Sequence, residues 1–189
     1  MANSDNAYGL RAMRHLSGSP YNGAVTTYHV AVGDAQVIAP GDPVLITGTA
    51  DTVGIPTVAR ATNGSRITGI MAAVANGLNS TVDFDTTLNT VASTNQYIHV
   101  IDDPTVIFSA QIDDTLVALN IGLNADLIAA APVAGKSQWE VDHSTLATTA
   151  TLQVRVLRLV QDEENALGAD AKVEVQIMAH TQAPGTAGI

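Results

Sequence analysis

From Thr26 onward, apolar and β-branched positions come in short runs broken by Gly, Pro, Asn or Asp, the pattern of strands and tight turns. Residues 26–32 predict a first strand. Pro40-Gly41-Asp42-Pro43 is a turn sequence leading into a short strand over 44–48. Gly54-Ile55-Pro56 precedes a strand over 57–60, and Asn63-Gly64-Ser65 turns the chain into another over 67–71. Strands this short, joined this tightly, predict a small barrel-like unit within residues 26–75.

The same punctuation continues. A strand over 96–100 halts at Asp102-Asp103-Pro104, because proline has no N–H to give a ladder, and resumes over 106–112. Asp113-Asp114 and Gly122 mark the next turns. Residues 115–131 hold enough Leu and Ala for either a short helix or irregular packing. Further on, Leu152, Val154 and Val156 alternate with Gln153 and Arg155, and the adjacent pair Val156-Leu157 shifts the phase as a bulge does. After the polar turn at 162–168, Val173, Val175 and Ile177 alternate with Lys172, Glu174 and Gln176. The two segments predict an antiparallel hairpin with one face in the core. On that register Val175→Asp unfolds the domain, and Glu174→Ala, on the other face, is mild. The fold class is therefore all-β, an antiparallel sandwich or barrel (jelly-roll-like or a small barrel), over residues 26–180, with a flexible tail over 181–189.

Residues 1–25 read differently. They are rich in Asn, Ser, Gly and Pro, with too few apolar residues to fold alone, and predict an extended N-terminal arm. The arm carries Asp5 against Arg11 and Arg14, whereas the remainder holds 17 of the 18 acidic and 6 of the 8 basic residues. Arm and body thus have opposite polarity. Tyr8, Leu10, Arg11, Met13, Arg14, His15, Leu16 and Tyr21 are the candidate partner-binding residues, apolar anchors and cations that order when the arm meets a neighbouring subunit.

Composition narrows the function. Charged residues make up 14% of the chain and hydrophobic ones 46%, against about 25% charged in an ordinary soluble domain. Such a surface is more easily buried than solvated, which predicts self-association as a trimer or dimer. A net charge of −10 repels phosphate backbones and disfavours nucleic acid as a partner. No apolar run reaches the length of a membrane span or a signal peptide, so a protein made in a cytoplasm, with no membrane partner, is expected. With no cysteine, disulfides and thiolate chemistry are excluded. Asn63-Gly64-Ser65 and Asn79-Ser80-Thr81 match the glycosylation pattern but read as turns.

Candidate chemistry is thin. His15, His29, His99, His143 and His180 stand singly, none at metal-ligand spacing, and neither a nucleophile motif nor a phosphate loop is present. Asp102-Asp103 and Asp113-Asp114 are either paired carboxylates for a hard cation such as calcium or turn residues bonding their own backbone. Trp139 is either core or an interface anchor. The reading is of a protein that is no enzyme and takes no cofactor.

Four stretches in order resemble a family of small virion structural proteins of tailed bacteriophages, in which an arm precedes a β domain. They are Tyr8-Gly9-Leu10-Arg11 with Arg14-His15-Leu16-Ser17-Gly18; Gly41-Asp42-Pro43-Val44; Asp102-Asp103-Pro104 with Ile107-Phe108-Ser109-Ala110-Gln111; and Asn165-Ala166-Leu167-Gly168 leading to Val173-Glu174-Val175 and His180. Ala12 departs from the proline expected there in many relatives. The resemblance implies a capsid decoration, or cement, protein on the exterior of the virion, whose partners are the major capsid protein and itself. Alternatives are another virion component, of tail or baseplate, and a calcium- or small-molecule-binding β module.

Overall fold

The computed structural model describes residues 3–75, 78 and 89–183. The Asn79-Ser80-Thr81 turn and most of the expected tail lie outside the described residues. Among the described residues the chain is all-β, with antiparallel sheets in a sandwich-like arrangement and only two single-turn 3-10 segments, Ala118–Asn120 and His143–Thr145.

β2 (Thr26–Val30), β3 (Pro43–Ala50), β4 (Pro56–Arg60), β5 (Gly69–Ala75) and β6 (Gln96–Ile101) close a barrel in the order β2-β4-β3-β5-β6. The short strands read from the sequence are all there, and β6, beyond residue 75, supplies the closing strand. It pairs with β2 from Thr26↔Val100 to Val30↔Gln96, while a parallel bridge, His29↔Thr57, joins β2 to β4. Tyr28, Val30, Ile38, Val44, Val58, Met71, Val74, Ile98 and Val100 form its interior cluster. A five-strand barrel is narrow enough for these side chains to fill.

The second sheet runs β1 (Arg11–His15), β7 (Val106–Gln111), β12 (Lys172–Ile177), β11 (Val154–Leu159) and β8 (Asn124–Ala125). β9 (Leu127–Ile128) and β10 (Glu140–Val141) make a two-stranded ribbon beside it. The hairpin of β11 and β12 has the expected register, Val156↔Val175, and the expected bulge just after Val156. One large cluster joins the inner face of this sheet to Ile67, Ile70 and Ile101 of the barrel side and to Leu127, Trp139 and Val141. Trp139 is thus core, and the segment over 115–131 takes the irregular path rather than a helix.

Two expectations change. Glu174 is not on a solvated face: it is 3% exposed, with Oε2 accepting from Nη2 of Arg14 at 2.7 Å and Oε1 from Nη2 of Arg158 at 2.8 Å. The alternation is correct, but the outer face of β12 is covered. The cover is the N-terminal segment, which is extended yet built into its own domain. β1 pairs with β7, and Leu10, 2% exposed, joins the core. Upstream, Nδ2 of Asn3 donates to the carbonyls of Ala166 and Ala169, and Gln111, 1% exposed, bonds the amide of Asn6 and the carbonyl of Ser4. The segment contains too few apolar residues to fold alone, and needs few, because the body presents unfilled polar partners to its backbone.

Entry into the core requires glycine. The Leu10 amide donates to the Gly41 carbonyl at 3.0 Å. Gly9 has φ +72°, and a Cβ there would stand 2.5 Å from that same carbonyl oxygen.

Candidate functional site

The eight residues singled out in the arm divide between two jobs. Leu10 and Arg14 are spent on the protein's own core and on Glu174. Tyr8 is half-buried beneath the Arg11 guanidinium, 4.7 Å from the ring centroid. His15 turns inward: Nδ1 lies 3.3 Å from Oδ2 of Asp103, and its ring centroid is 6.0 Å from that of half-buried Tyr21. Arg11, Met13 (38% exposed) and Leu16 (53% exposed) remain at the surface. The chain then folds back, the Tyr21 amide reaching the Met13 carbonyl and the His15 amide the Ser19 carbonyl. β1 is nonetheless the last strand of its sheet.

The acidic pairs serve the fold. Asp103 accepts from the amide and the hydroxyl of Thr105, each at 2.7 Å, so it caps its own turn. Burial raises its carboxyl, but these bonds and the nearby imidazoles of His15 and His180 outweigh burial and hold it low. Asp102 accepts from Thr26 at 3.0 Å and from the Tyr28 hydroxyl at 2.9 Å, and the Tyr28 hydroxyl in turn accepts from Gln182 at 2.7 Å. Burial first and Asp102 second push the Tyr28 phenol well above its usual range. Oδ1 of Asp113 accepts the His143 amide and Oδ1 of Asp114 the Thr115 amide. Among the described residues no three His, Asp or Glu side chains gather as metal ligands.

Where barrel, arm and ribbon meet, Asp42 is fully buried 3.5 Å from Nε of Arg60, whose guanidinium lies over the Trp139 ring at 5.5 Å. Oδ2 of Asp42 also accepts the Ala39 amide at 3.0 Å. Burial raises the Asp42 carboxyl, and the pull of Ser137, the Ala39 amide and Arg60 only partly offsets it. This pair fixes the joint rather than opening to a ligand. Arg60 also donates to the Ala130 carbonyl.

Beside that joint lies a groove of about 420 Å³. Its lining is apolar: buried Leu10, Met71 and Ile101, with half-buried Tyr21, Val25 and Ala72. Arg11 borders it from β1. Lys136 borders it from a tight turn in which Val133 and Lys136 exchange both amide-to-carbonyl bonds at 3.0 Å. Four of the residues picked out in the arm, Tyr8, Leu10, Arg11 and Tyr21, line this groove, and Met13, Arg14, His15 and Leu16 do not. The barrel and turn residues that complete it were missed, since Met71, Ala72 and Lys136 carry no local signal of a shared surface.

Compared with protein-family models, curated proteins and solved structures, the chain finds no match.

Proposed function

We propose that this protein is a virion structural component of a tailed phage, a decoration protein that binds the outside of the assembled capsid shell and clamps contacts between major capsid protein subunits. The observation that carries the reading is the arm side of the molecule. An edge strand anchored to a rigid all-β body presents Arg11, Met13 and Leu16 on a protein of net charge −10. Backbone held this firmly loses little entropy on docking, so a modest apolar and cationic face suffices when it is repeated many times on a shell. The resemblance of the four ordered stretches to tailed-phage structural proteins supports the same reading. A ligand of this kind stabilises the shell by binding it better than loose subunits, and needs no catalytic group.

Self-association as a trimer or dimer belongs to the proposal. Val117 (46% exposed) and Leu167 (49% exposed) flank the bridge between Leu116 and Gly168, and Leu119 close by is 87% exposed. Such an apolar patch gives a second, separate surface for copies of the chain. The test is co-sedimentation with shells of its own virion, stripped of accessory proteins, beside free coat subunits and isolated tails. Saturable binding to shells alone is expected. Binding to tails instead, or turnover in hydrolase screens, would overturn the reading.

A further inference from the structure

We infer that the groove between β1, the barrel wall and the 133–136 turn is a binding site for an extended polypeptide segment with apolar side chains and flanking carboxylates. The inference rests on the arm side being the docking face, as proposed above, and adds what that face holds.

Three observations converge on this occupant. The groove is lined by apolar side chains along its length and is too large to be a packing defect, at about 420 Å³. Its two charged lining residues, Arg11 and Lys136, are both cations in a chain with only 8 basic against 18 acidic residues. Neither is neutralised: Arg14, Arg60, Arg158 and Lys172 each have a carboxylate within ion-pair distance, whereas Arg11, stacked over Tyr8, and Lys136 have none among the described residues, like Arg66 and Arg155 away from the groove. An acidic protein that leaves these cations unneutralised beside an apolar surface offers them to an anionic partner, and rim charges of this kind select partners by sign.

Shape favours a polypeptide over a small amphiphile. One wall is β1, an extended strand whose 13–15 edge already bonds the folded-back residues 19–21, so an extended segment can run beside the Leu10 and Ala12 side chains with alternate side chains of its own turned into the groove.

The test is isothermal titration of the full chain with two short synthetic peptides of alternating valine and threonine, one flanked by glutamates and its twin by lysines. The glutamate peptide is expected to bind roughly tenfold more tightly. In the double variant Arg11→Glu, Lys136→Glu that order reverses. Both positions are exposed, so losing the stacking of Arg11 on Tyr8 lowers the thermal transition only slightly, and a cooperative melt reports an intact fold. Ala72→Phe, filling the groove without altering charge, weakens both peptides. No binding, equal affinity for the twins, or binding indifferent to all these variants would overturn the inference. So would decanoate competing for the site and binding more tightly than the glutamate peptide, which makes it a small-amphiphile site. Dissociation of a self-associated form by the peptide would overturn it too, by making a second copy the occupant. Shell binding separates this inference from the decoration role. Groove variants that decorate shells as well as the parent sink the groove alone, and a peptide site on a protein that ignores shells sinks the decoration role alone.

Discussion

The five-stranded sheet is antiparallel and the barrel is too except where β2 meets β4, and both are well packed, yet they are assembled in different ways. The barrel draws its strands from one stretch of chain between Thr26 and Ile101, and two of its pairings, β3 with β4 and β5 with β6, join successive strands. The sheet draws β1 from the N-terminal segment, β7 from mid-chain, and β11 and β12 from the last third. Its order therefore depends on contacts across most of the sequence, which are slow to form and close long loops. The barrel strands bury polar Thr57 and His99, which bond His29 and Thr27 of its own β2, while the sheet buries Gln111 and Glu174 on its outer side, both of which take partners from the distant N-terminal segment. The sheet is thus the half of the molecule that a single change far away in sequence can undo.

The largest effect should come from Val175→Asp, which puts an unpaired carboxylate at a fully buried position of the shared core. We expect a loss on the order of 5 kcal/mol and no cooperative melt by circular dichroism. A soluble variant with a normal transition would mean that β12 is misregistered by one residue.

Deleting residues 2–20 should come next, at about 4 kcal/mol, since it removes Leu10 from the core, strips β1 from β7 and uncovers Gln111 and Glu174. The melting temperature should fall by about 10 °C. Hydrogen exchange sharpens the comparison: amides of β7 and β12 should lose protection while those of β3 and β4 keep it. Equal loss in both halves would show that barrel and sheet unfold as one unit.

What the sequence made legible follows the same division. The barrel strands, the β11–β12 hairpin and its bulge were readable because alternation and turn residues are local signals. The fate of the N-terminal segment was not readable, because its stability lies in partners more than a hundred residues away, such as Gln111 for Asn6 and Ala166 for Asn3. Glu174 shows the limit most clearly. Its alternation placed it correctly opposite Val173 and Val175, but no local pattern shows that Arg14 crosses β7 to cover it. Of the candidate groove, the arm residues could be named because they stand out as apolar in a polar segment. Met71, Ala72 and Lys136 could not, since each looks like an ordinary strand or turn residue.

Glu174→Ala should cost about 2 kcal/mol, because it strands Arg14 and removes an acceptor that ties β1 across β7 to β12. Its pH dependence has a definite sign. Burial raises the carboxyl, but the bonds from Arg158 and Arg14 outweigh it and hold the folded value below the ordinary one of 4.5. The stabilisation is therefore complete above that value and disappears as pH falls through the lower, folded one. Parent and variant should converge in melting temperature in strong acid. A gap that persists there would assign the loss to packing instead.

The smallest effect, and the one of opposite sign, belongs to Glu140. This half-buried residue of β10 lies where distant parts of the chain bring acids together, near Asp5 of the N-terminal segment, Asp113 after β7 and Asp170 before β12. Burial first, then these three charges, raise its carboxyl to about 7 from an ordinary 4.5. A raised carboxyl binds its proton more tightly folded than unfolded. Its cost to stability is therefore absent below 4.5, grows as pH rises toward 7, and is complete above 7. Glu140→Gln mimics the protonated form and should stabilise the protein at pH 8 by about 1 kcal/mol, a value reduced for its partial exposure to solvent. At pH 4 the variant and the parent should melt together. Asp5→Asn should reproduce a fraction of the gain at pH 8, because it removes the largest of the three charge contributions while leaving the burial of Glu140 in place. If Glu140→Gln gave the same gain at both pH values, the benefit would come from the amide's hydrogen bonding, and the meeting of acids from distant segments would carry no cost in this half of the molecule.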